Sequence, residues 1–403
     1  MKKIAYLIVR EDLNAPLVQS QCVEVISSAN HSWRDGRIEL VWFYRIDYIF
    51  RKKTPSFSDM RRQLLQLGIK VHFIPFVSAG FPVRWWALPF VLPQWLIGLL
   101  YLRFYLGFRL FHCRSYHAGL IARFGKCFLG ICYVFDPRSP FPEENISAKR
   151  WGPRSLSFRL WKRIESWIIN EASKTIIVSH FLFELYQGVS STARFSVVPN
   201  NYPVSFGLDN TDKTANKARD YTLVYVGSFG NWNKPEPYLR LLKSLNRLHV
   251  ETVNMLFIVR TESVVNLLAK SEQIGLPHSL FDVVSVNQHE VPRYLEKCLI
   301  GVYLMDEEDP RLGVKTVEYL AMGLPVIVSD NIKGAADLIR AEELGVIWDH
   351  SDSSSKRVAS WISEAHNKQD WWRLRCKSYA REHLSCQSVA GQLIAVYREL
   401  DAR

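Results

Sequence analysis

The sequence predicts an α/β protein with two doubly wound parallel-sheet domains, and three observations support this prediction. The chain has 403 residues, too many for one ordinary core, and its 48% hydrophobic and 22% charged residues are typical of a globular protein. Short apolar runs alternate with longer helical patterns, and this alternation occurs twice. Between the two series, residues 203–220 lack apolar periodicity. We therefore expect a first domain over 1–205, a linker over 206–220, a second domain over 221–384 and a terminal helical segment over 385–403.

The first series alternates six predicted strands with six predicted helices. The strands are Ile4–Val9, Ile38–Tyr44, Val71–Ile74, Leu110–Cys113, Ile131–Phe135 and Thr175–Val178. The helices are Leu17–Ser28, Ser56–Leu67, Gln94–Phe108, Ala118–Phe124, Ser155–Ala172 and His180–Gln187. The opening MKKIAYLIV is followed at once by the charged Arg10, so we interpret it as a buried strand and not as an export signal.

The second series contains six further predicted strands, and two helical patterns close the chain. The strands are Leu223–Val226, Asn254–Val259, Val283–Val286, Ile300–Leu304, Val326–Val328 and Gly345–Trp348. The closing helices are Ser353–His366 and Ser388–Leu400. Ligands of such sheets bind at the carboxyl ends of the strands, so we expect both domains to present loops to a cleft between them.

The excess positive charge lies entirely in the first half of the chain. Residues 1–210 contain 27 Lys and Arg against 14 Asp and Glu, whereas the remainder contains 24 against 25, and the whole chain carries +12. Such asymmetry indicates a polyanionic partner for the first domain, which could be membrane phospholipid, lipid phosphate or nucleic acid. Because no recognisable nucleic-acid-binding module is present, we expect no nucleic acid partner.

The seven cysteines are scattered and form no CxxC pair. This spacing argues against a disulfide framework and a structural zinc site, and it is typical of a protein of the reducing cytoplasm. Cys127 and Cys132 are compatible with a redox pair, but we expect two buried structural thiols.

The stretch RLGVKTVEYLAMGLPVIVSD, residues 311–330, places Lys315 and Glu318 on one turn of a predicted helix over 314–322. The first turn of a helix offers free backbone N–H groups and a positive dipole end, and Lys315 adds charge there, which suits a diphosphate. Glu318, one turn deeper, is placed to accept hydrogen bonds from ribose hydroxyls. The alternative is an ion pair between the two side chains on a surface helix.

This stretch resembles the donor-site signature of glycosyltransferase family 4, whose members are retaining enzymes with the GT-B fold. That fold has two Rossmann-like domains facing a cleft and a C-terminal helix that crosses back to the first domain. YVGSFGNWNKPE (225–236), VNQHEVPRYLEKCLIGVYL (286–304) and the closing HLSCQSVAGQLIAVYREL resemble further family segments in the same order. HCRSY (112–116) and FDPRSPFPEE (135–144) resemble acceptor-side loops of its bacterial polysaccharide and lipopolysaccharide branches.

The resemblance implies a donor site made of three segments. The matching positions are Gly227, Ser228 and Lys234, then Asn287 and Val291, then Lys315, Thr316 and Glu318. Gly227 and Ser228 would let the backbone approach the donor phosphates. Lys234 matches the basic residue that follows this loop in the family. Lys315 and Thr316 would contact the diphosphate and Glu318 the ribose, while the segment from Asn287 to Val291 would flank the base.

The chain departs from the family pattern at two places. The family usually has two glutamates separated by seven residues, but Pro310 stands where the first belongs, with Glu308 or Asp309 as candidate substitutes. The glycine-rich loop after the first strand is replaced by EDLNAPLVQSQ. These departures keep a non-catalytic relative open as an alternative.

Four polar residues of the first domain lie at or just after predicted strand ends: Arg114, His117, Asp136 and Arg138. We expect Asp136 to orient an acceptor hydroxyl and to act with Arg138, while Arg114 and His117 face the acceptor. Two alternatives stay open, an internal ion-pair network of Arg138 with Glu143 and Glu144, and an exposed helix-start position for His117.

The implied chemistry needs no metal. A retaining transfer requires stabilisation of the leaving diphosphate, which positioned cations and helix N-termini supply. The nearest match to an Asp-x-Asp metal motif is Asp306-Glu-Glu-Asp309, whose spacing is wrong, so we interpret it as a solvated acidic loop. We therefore expect no metal and no cofactor besides the nucleotide diphosphate-sugar co-substrate.

Residues 85–111 read WWALPFVLPQWLIGLLYLRFYLGFRLF, where Pro89 and Pro93 interrupt the run before a membrane-spanning length is reached. Tryptophan beside Arg103 and Arg109 suits the headgroup level of a membrane interface. Further basic residues could extend this surface: Arg51, Lys52, Lys53, Arg61 and Arg62. The alternative is a core helix packed under the sheet.

Taken together, these observations predict a hexosyl- or N-acetylhexosaminyl-transferase of bacterial surface polysaccharide assembly, such as capsule or O-antigen. It would move a sugar with retention from a nucleotide diphosphate-sugar to a lipid-linked glycan, at the cytoplasmic face of the membrane. Two alternatives remain: a nucleotide-sugar epimerase on the same fold, and a non-catalytic nucleotide-sugar-binding partner of another transferase.

Overall fold

The computed structural model describes residues 2–50, 56–77, 88–189, 194–207, 220–230, 233–250 and 253–401. The chain divides into two compact units, one made of Met1–Pro199 with Val389–Arg403 and the other of Asn200–Ser388. Each unit contains one parallel sheet, so the predicted fold class of two doubly wound α/β domains is confirmed. Most of the predicted linker and the basic residues Arg51, Lys52 and Lys53 lie outside the described residues.

The first unit contains a seven-stranded sheet with the order β3-β2-β1-β4-β5-β6-β7. Its strands are β1 (Lys2–Val9), β2 (Gly36–Arg45), β3 (Val71–Phe76), β4 (Leu110–Arg114), β5 (Cys132–Asp136), β6 (Lys174–Ile177) and β7 (Phe195–Val197). The order reverses between β1 and β4, which is the position where doubly wound sheets bind ligands. Strand β7 was not predicted, because three residues are too few to show a period.

The helices of the first unit occupy the connections between these strands. They are α1 (Pro16–Val18), α2 (Val25–Ser32), α3 (Phe57–Gln66), α4 (Leu88–Leu100), α5 (Ser115–Leu129), α6 (Phe141–Ser147), α7 (Leu156–Glu171) and α8 (His180–Gln187). A π-helical segment, Gln19–Glu24, joins α1 to α2, and a second, Tyr101–Tyr105, extends α4. A 3₁₀ segment, Ile46–Phe50, follows β2.

Helix α4 begins six residues before the predicted start and continues through Pro93. Its Val91, Trp95 and Leu99 are buried in the core of the first unit, and this burial offsets the hydrogen bond that the proline cannot make. Phe90 and Ile97 on the same helix remain exposed, so the helix is partly core and partly surface. No helix in the described part of the chain is long and apolar enough to cross a membrane.

The second unit contains a six-stranded sheet with the order β10-β9-β8-β11-β12-β13. Its strands are β8 (Tyr221–Gly227), β9 (Met255–Val259), β10 (Phe281–Val284), β11 (Cys298–Tyr303), β12 (Val326–Ser329) and β13 (Gly345–Trp348). The order reverses between β8 and β11. The sequence therefore predicted all six strands of this sheet, with small differences at their ends.

The helices of the second unit follow its strands in turn. They are α9 (Val204–Gly207), α10 (Glu236–Arg247), α11 (Thr261–Ile274), α12 (Val291–Leu295), α13 (Val314–Ala321), α14 (Lys333–Glu342), α15 (Asp352–Asn367) and α16 (Gln369–His383). Two 3₁₀ segments, His278–Leu280 and Gln288–Glu290, precede β10 and α12. The last helix, α17 (Cys386–Asp401), enters the first unit at Val389.

The expectation that Cys127 and Cys132 are buried thiols is wrong. Both are free and exposed, because one lies on the outer side of α5 near its end and the other at the start of β5. All the cysteines of the described residues are free.

Candidate active site

The strand ends at the reversal point of the second sheet carry the residues nearest to Lys315. Strand β8 ends at Gly227 and the neighbouring β11 ends at Tyr303. Helix α13, with Gly313 as its N-cap, starts shortly after β11. The end of β8, which is distant in sequence, therefore meets the end of β11 and the start of α13 at the edge where parallel sheets bind ligands.

Gly227 occupies a backbone conformation that other residues avoid. Its φ angle is +153°, and a Cβ atom at this position would lie 2.7 Å from Cε of Lys315 and 2.8 Å from the hydroxyl of Tyr225. A side chain would therefore displace the lysine. The glycine allows the backbone of the β8 end to approach Lys315 closely.

The Lys315 ammonium lies over aromatic rings. Its Nζ is 4.9 Å from the ring centre of Tyr303 and 5.8 Å from that of Tyr225. Within the described residues, no carboxylate oxygen lies within ion-pair distance of this nitrogen. Burial lowers the pKa of Lys315 to about 8, although the nearby charge of Glu318 opposes this effect.

Glu318 also lacks a partner among the described residues, since neither a hydrogen bond nor an ion pair reaches its carboxylate. Burial raises the pKa of Glu318 to about 7, with Lys315 opposing the shift. The two side chains influence each other electrostatically without forming an ion pair, so the surface ion-pair alternative is wrong. Two titratable groups on one helical turn are thus held in a partly buried site without neutralising contacts, a pattern that is common at functional sites.

The other predicted members of the donor site differ in accessibility. Thr316 is fully buried, and its Oγ1 has no hydrogen-bond partner among the described residues. Ser228 is exposed, and its carbonyl oxygen accepts a hydrogen bond of 3.2 Å from the hydroxyl of Tyr225. Lys234 is exposed and pairs with Glu307 at 2.9 Å, a hydrogen bond that raises the pKa of the lysine.

The predicted base-side residues lie at the start of helix α12. Asn287 is exposed and caps the 3₁₀ segment Gln288–Glu290, where its backbone N–H donates to the Glu290 carboxylate at 3.0 Å. The side chain of Val291 is buried in the core of the second unit. Asn287 is therefore available to a ligand, whereas Val291 fixes the helix to the sheet.

The acidic loop that precedes α13 is held by basic residues. Asp306 pairs with Arg240, and Glu307 pairs with Lys234. Asp309 is buried and accepts two hydrogen bonds, of 2.8 and 2.7 Å, from the guanidinium of Arg311. The interpretation as a solvated loop is thus wrong for Asp309, because a buried carboxylate requires a partner and Arg311 supplies it.

The resemblance implies a glutamate at the position of Pro310, and neither neighbouring acidic residue takes its place. Asp309 is engaged by Arg311, and Glu308 is exposed, with its nearest basic partner Lys333 at 3.9 Å. Neither candidate substitute for the missing glutamate is therefore a free carboxylate beside Lys315. Among the described residues, no cluster of three or more His, Cys, Asp or Glu side chains is arranged to hold a metal ion.

In the first unit, Asp136 is the centre of a buried polar network at the end of β5. Its Oδ2 accepts hydrogen bonds from Arg138 Nε at 2.7 Å and from His112 Nε2 at 3.2 Å. Burial alone would raise the pKa of Asp136, but Arg138 and His112 lower it to about 2. Its Oδ1 is buried and has no hydrogen-bond partner among the described residues.

The histidine of this network links it to the last helix. Burial lowers the pKa of His112, so the ring is neutral. Because Nε2 must donate its proton to the ionised Asp136, Nδ1 accepts the hydrogen bond of 2.8 Å from the hydroxyl of Tyr397 on α17. Tyr6 of β1 stacks on the imidazole, with 4.2 Å between the ring centres.

Arg114 and His117 are both buried, in different surroundings. Arg114 donates to Glu11 at 3.0 Å and to Gln21 at 3.2 Å, and one further guanidinium nitrogen has no partner among the described residues. His117 lies among aromatic rings, 5.2 Å from the ring centre of Trp161. Burial lowers the pKa of His117 to about 3, with Arg10 adding to the shift. The exposed helix-start alternative for His117 is wrong, because the first turn of α5 faces inward.

The predicted ion pairs of Arg138 were only partly correct. Arg138 is in an internal network in which Asp136 is a carboxylate partner, while Glu143 pairs with Lys162 at 2.9 Å. Arg138 has a φ angle of +61°, which is uncommon for a residue other than glycine and turns its side chain back to the strand end. Asp136 and Arg138 are thus brought together, whereas His117 is separated from them.

Sequence reasoning missed several residues of both sites. Tyr225, Tyr303 and Arg311 surround Lys315, and His112 and Tyr397 complete the Asp136 network. Tyrosines near strand ends resemble ordinary core residues, so no pattern marked the first two. His112 lies two residues before Arg114 in the HCRSY segment, so both side chains are on the same face of the strand. That spacing could have indicated that His112 belongs to the same polar network.

Comparisons with known proteins agree with the fold. Residues 209–383 match the family model described as Glycosyl transferases group 1. Sucrose-phosphate synthase from Thermosynechococcus elongatus superposes with a TM-score of 0.68 at 15% identity, over 100% of both chains. HepE of Anabaena, in complex with UDP, gives 0.64 at 14% identity over 99% of this chain and 100% of its own.

A third similar structure is WaaG, a glycosyltransferase involved in lipopolysaccharide biosynthesis. It superposes with a TM-score of 0.64 at 12% identity, over 98% of this chain and 99% of its own. No curated protein sequence gave a significant match. The chain therefore has the GT-B fold of these structures, and residues 209–383 are similar to the glycosyl transferases group 1 model.

Proposed function

We propose that this protein is a retaining glycosyltransferase that takes a sugar from a nucleotide diphosphate-sugar, and that the donor diphosphate binds at the start of α13. The observation that carries the proposal is Lys315, a partly buried cation without a carboxylate partner among the described residues. It lies on the first turn of a helix and against the backbone of Gly227. An anion is the missing component of such a site.

The energy of this arrangement supports an anionic ligand. Lowering the pKa of Lys315 from 10.5 to about 8 corresponds to a cost of about 3 kcal/mol for keeping the ammonium charged inside the protein. Charge-assisted hydrogen bonds between Lys315 and a bound diphosphate would offset this cost. The free N–H groups of the first turn of α13 would add their own hydrogen bonds to the phosphate oxygens.

The same contacts would promote the reaction. As the bond between the sugar carbon and the diphosphate oxygen breaks, negative charge builds on the leaving group, and a preorganised cation stabilises that charge more than it stabilises the ground state. Glu318 would accept hydrogen bonds from the ribose. Lys234, held by Glu307, would exchange this carboxylate for a phosphate oxygen.

We propose that the reaction is independent of a metal. The acids of the 306–309 loop support this, because Asp306, Glu307 and Asp309 already have basic partners. The structure of HepE with UDP makes uridine diphosphate the first nucleotide to test. Binding assays with a set of nucleotide-sugars would identify the sugar, and this set should include both hexosyl and N-acetylhexosaminyl donors.

On the acceptor side, we assign Asp136 an orienting role and not that of a base. A carboxylate whose pKa is about 2 is ionised at neutral pH and binds protons weakly. It can hold Arg138 in place and accept a hydrogen bond at its free Oδ1. Arg114 has a guanidinium nitrogen left for an anionic or hydroxyl group of the acceptor.

We further propose that the acceptor is a glycan on a lipid carrier, used in surface polysaccharide assembly at the cytoplasmic face of the membrane. Helix α4 and its π-helical extension expose apolar residues next to Arg103: Phe90, Ile97, Tyr101, Phe104 and Tyr105. Large exposed apolar patches on soluble units indicate a partner surface, and aromatic residues beside arginine suit lipid headgroups. Cosedimentation with anionic vesicles should occur and should weaken with salt, whereas its absence at low salt would remove the membrane part of the proposal.

The function is tested by turnover. Purified protein is incubated with labelled nucleotide-sugars and a crude membrane extract, and transfer of label to the lipid fraction and release of the nucleotide diphosphate are measured. Transfer that is lost in K315M but kept in R159Q, a change at an exposed arginine of α7, supports the proposal. Conversion of the sugar without acceptor would instead identify an epimerase.

A non-catalytic nucleotide-sugar-binding partner of another transferase is the second candidate. It is favoured by one observation, namely that Pro310 replaces a donor-site glutamate while Asp309 is engaged by Arg311. In that case nucleotide binding would persist and no turnover would occur with any donor or acceptor fraction.

A further inference from the structure

The first unit contains a cavity at the edge of its sheet opposite to Asp136. It measures about 500 Å³, within the range of roughly 300–1,000 Å³ that is usual for small-molecule sites. The amino-terminal ends of β1, β4 and β5 border it, whereas Asp136 lies at the carboxyl end of β5. The cavity is therefore distinct from the strand ends described above.

The interior and the rim of the cavity differ in character. Ile4, Trp33, Leu110 and Leu400 give it an apolar interior, together with the ring of Tyr397. Lys2, Lys3 and Arg109 lie at its rim and are exposed. A ligand that satisfies both regions has an apolar body and one anionic end.

Trp33 forms one wall of this cavity. The residue is 4% exposed, and its indole N–H is buried without a hydrogen-bond acceptor among the described residues. The ring also stacks with Tyr397, with 5.7 Å between the ring centres, so its position is fixed.

The wall formed by helix α17 is held in place from two sides. Tyr397 donates to His112 at 2.8 Å, and Glu399 pairs with Lys174 at 2.6 Å. Both partners belong to the sheet of the first unit. The cavity is thus preformed, and a ligand would not have to order its wall at the expense of affinity.

We propose that this cavity binds an amphipathic anion, an aliphatic chain or aromatic ring that carries one phosphate group. The apolar body would lie between Trp33, Leu110 and Tyr397, and the phosphate would reach Lys3 and Arg109 at the rim. Such a group could come from a lipid or from a soluble aromatic phosphate. Decyl phosphate represents the first source and 1-naphthyl phosphate the second.

Isothermal titration calorimetry of the full chain tests this proposal, with decyl phosphate kept below the concentration at which it forms micelles. The probes are decyl phosphate, 1-naphthyl phosphate and inorganic phosphate, and the variants are K3Q/R109Q, L400W and the matched surface control R159Q. We expect one organic phosphate to bind, with affinity reduced about tenfold or more by K3Q/R109Q because two charge-assisted contacts are lost. L400W should fill the cavity and prevent binding, and R159Q should bind like the native chain.

The outcome identifies the source or overturns the proposal. Preference for decyl phosphate indicates a lipid, and preference for 1-naphthyl phosphate indicates a soluble aromatic ligand. The proposal is wrong if neither organic phosphate binds, if inorganic phosphate binds equally well, or if K3Q/R109Q binds like R159Q. Because no nucleotide is used, the result is independent of the donor site at α13.

Discussion

Nucleotide binding should depend on pH through Lys315. The pKa of its ammonium is about 8 because the group is buried without a carboxylate partner among the described residues. A bound diphosphate would raise this pKa back to its usual range or above. Between these two values, binding the nucleotide requires the uptake of one proton, so affinity must fall as pH rises.

The size of the effect follows from the pKa. With a pKa of about 8 in the free protein, most Lys315 side chains are charged at about pH 7.5 and only a few per cent at about pH 9.5. We expect the affinity for the nucleotide diphosphate to fall about twentyfold over that interval, or about 1.8 kcal/mol. The interval lies above the pKa of Glu318, which is about 7, so that group stays ionised throughout most of it.

The assay is isothermal titration calorimetry in buffers with different heats of ionisation, which also counts the protons taken up. K315R is the matched control, because its guanidinium stays charged over the whole interval and the ligand's own titration is unchanged. Native protein should show the fall in affinity, and K315R should show at most a small one. Equal pH dependence of the two proteins would refute the placement of the diphosphate at Lys315.

Three further predictions concern single residues. K315M should abolish nucleotide binding yet raise the free energy of unfolding at pH 7 by about 1–3 kcal/mol, because it removes a charge that burial penalises. The native chain, but not K315M, should gain stability between pH 8 and 10.5, where the unfolded state binds more protons. Urea denaturation measures both effects. G227A should weaken nucleotide binding about tenfold or more, since its Cβ would displace Lys315 at a φ of +153°, while G230A, with open space around it, should bind normally in the same calorimetry. D136N should lower the free energy of unfolding at neutral pH by about 3 kcal/mol, because Arg138 loses this carboxylate. The stability that Asp136 contributes to the native chain should be lost as pH falls from 3.8 to about 2. If the free energy of unfolding of D136N falls over that pH interval as steeply as that of the native chain, this prediction is contradicted.

The strands of both sheets were predictable because buried parallel strands are continuous apolar runs with clear boundaries. IAYLIV, LFHC and PVIVS each lie between polar or turn residues, and each is a strand in the structure. The start of α4 was not predictable in the same way, because local rules place a helix boundary before Pro93 and only tertiary burial of Trp95 and Leu99 overrides them.

Within the site, spacing predicted that Lys315 and Glu318 share a helical turn, but it did not predict that they leave each other unpaired. That outcome depends on Tyr303 and Tyr225, which hold the ammonium over their rings from strands far away in sequence. In the same way, the sequence suggested Glu143 and Glu144 as partners of Arg138, whereas the structure pairs Arg138 with Asp136, and Tyr397 reaches His112 from the far end of the chain. Long-range contacts of this kind have no local pattern.

The most direct test of the donor site is the thermal stability of the purified chain with UDP, GDP, ADP and their sugars. A ligand that binds only the folded state stabilises it by about 2.7 kcal/mol at a hundredfold excess over Kd. E318A removes the proposed ribose contact, and E272A removes an exposed glutamate from α11 of the same unit as a control. We predict that one nucleotide stabilises the native chain and E272A but not E318A; no stabilisation of the folded native chain by any of them, or equal stabilisation of E318A, would contradict a donor site at the start of α13.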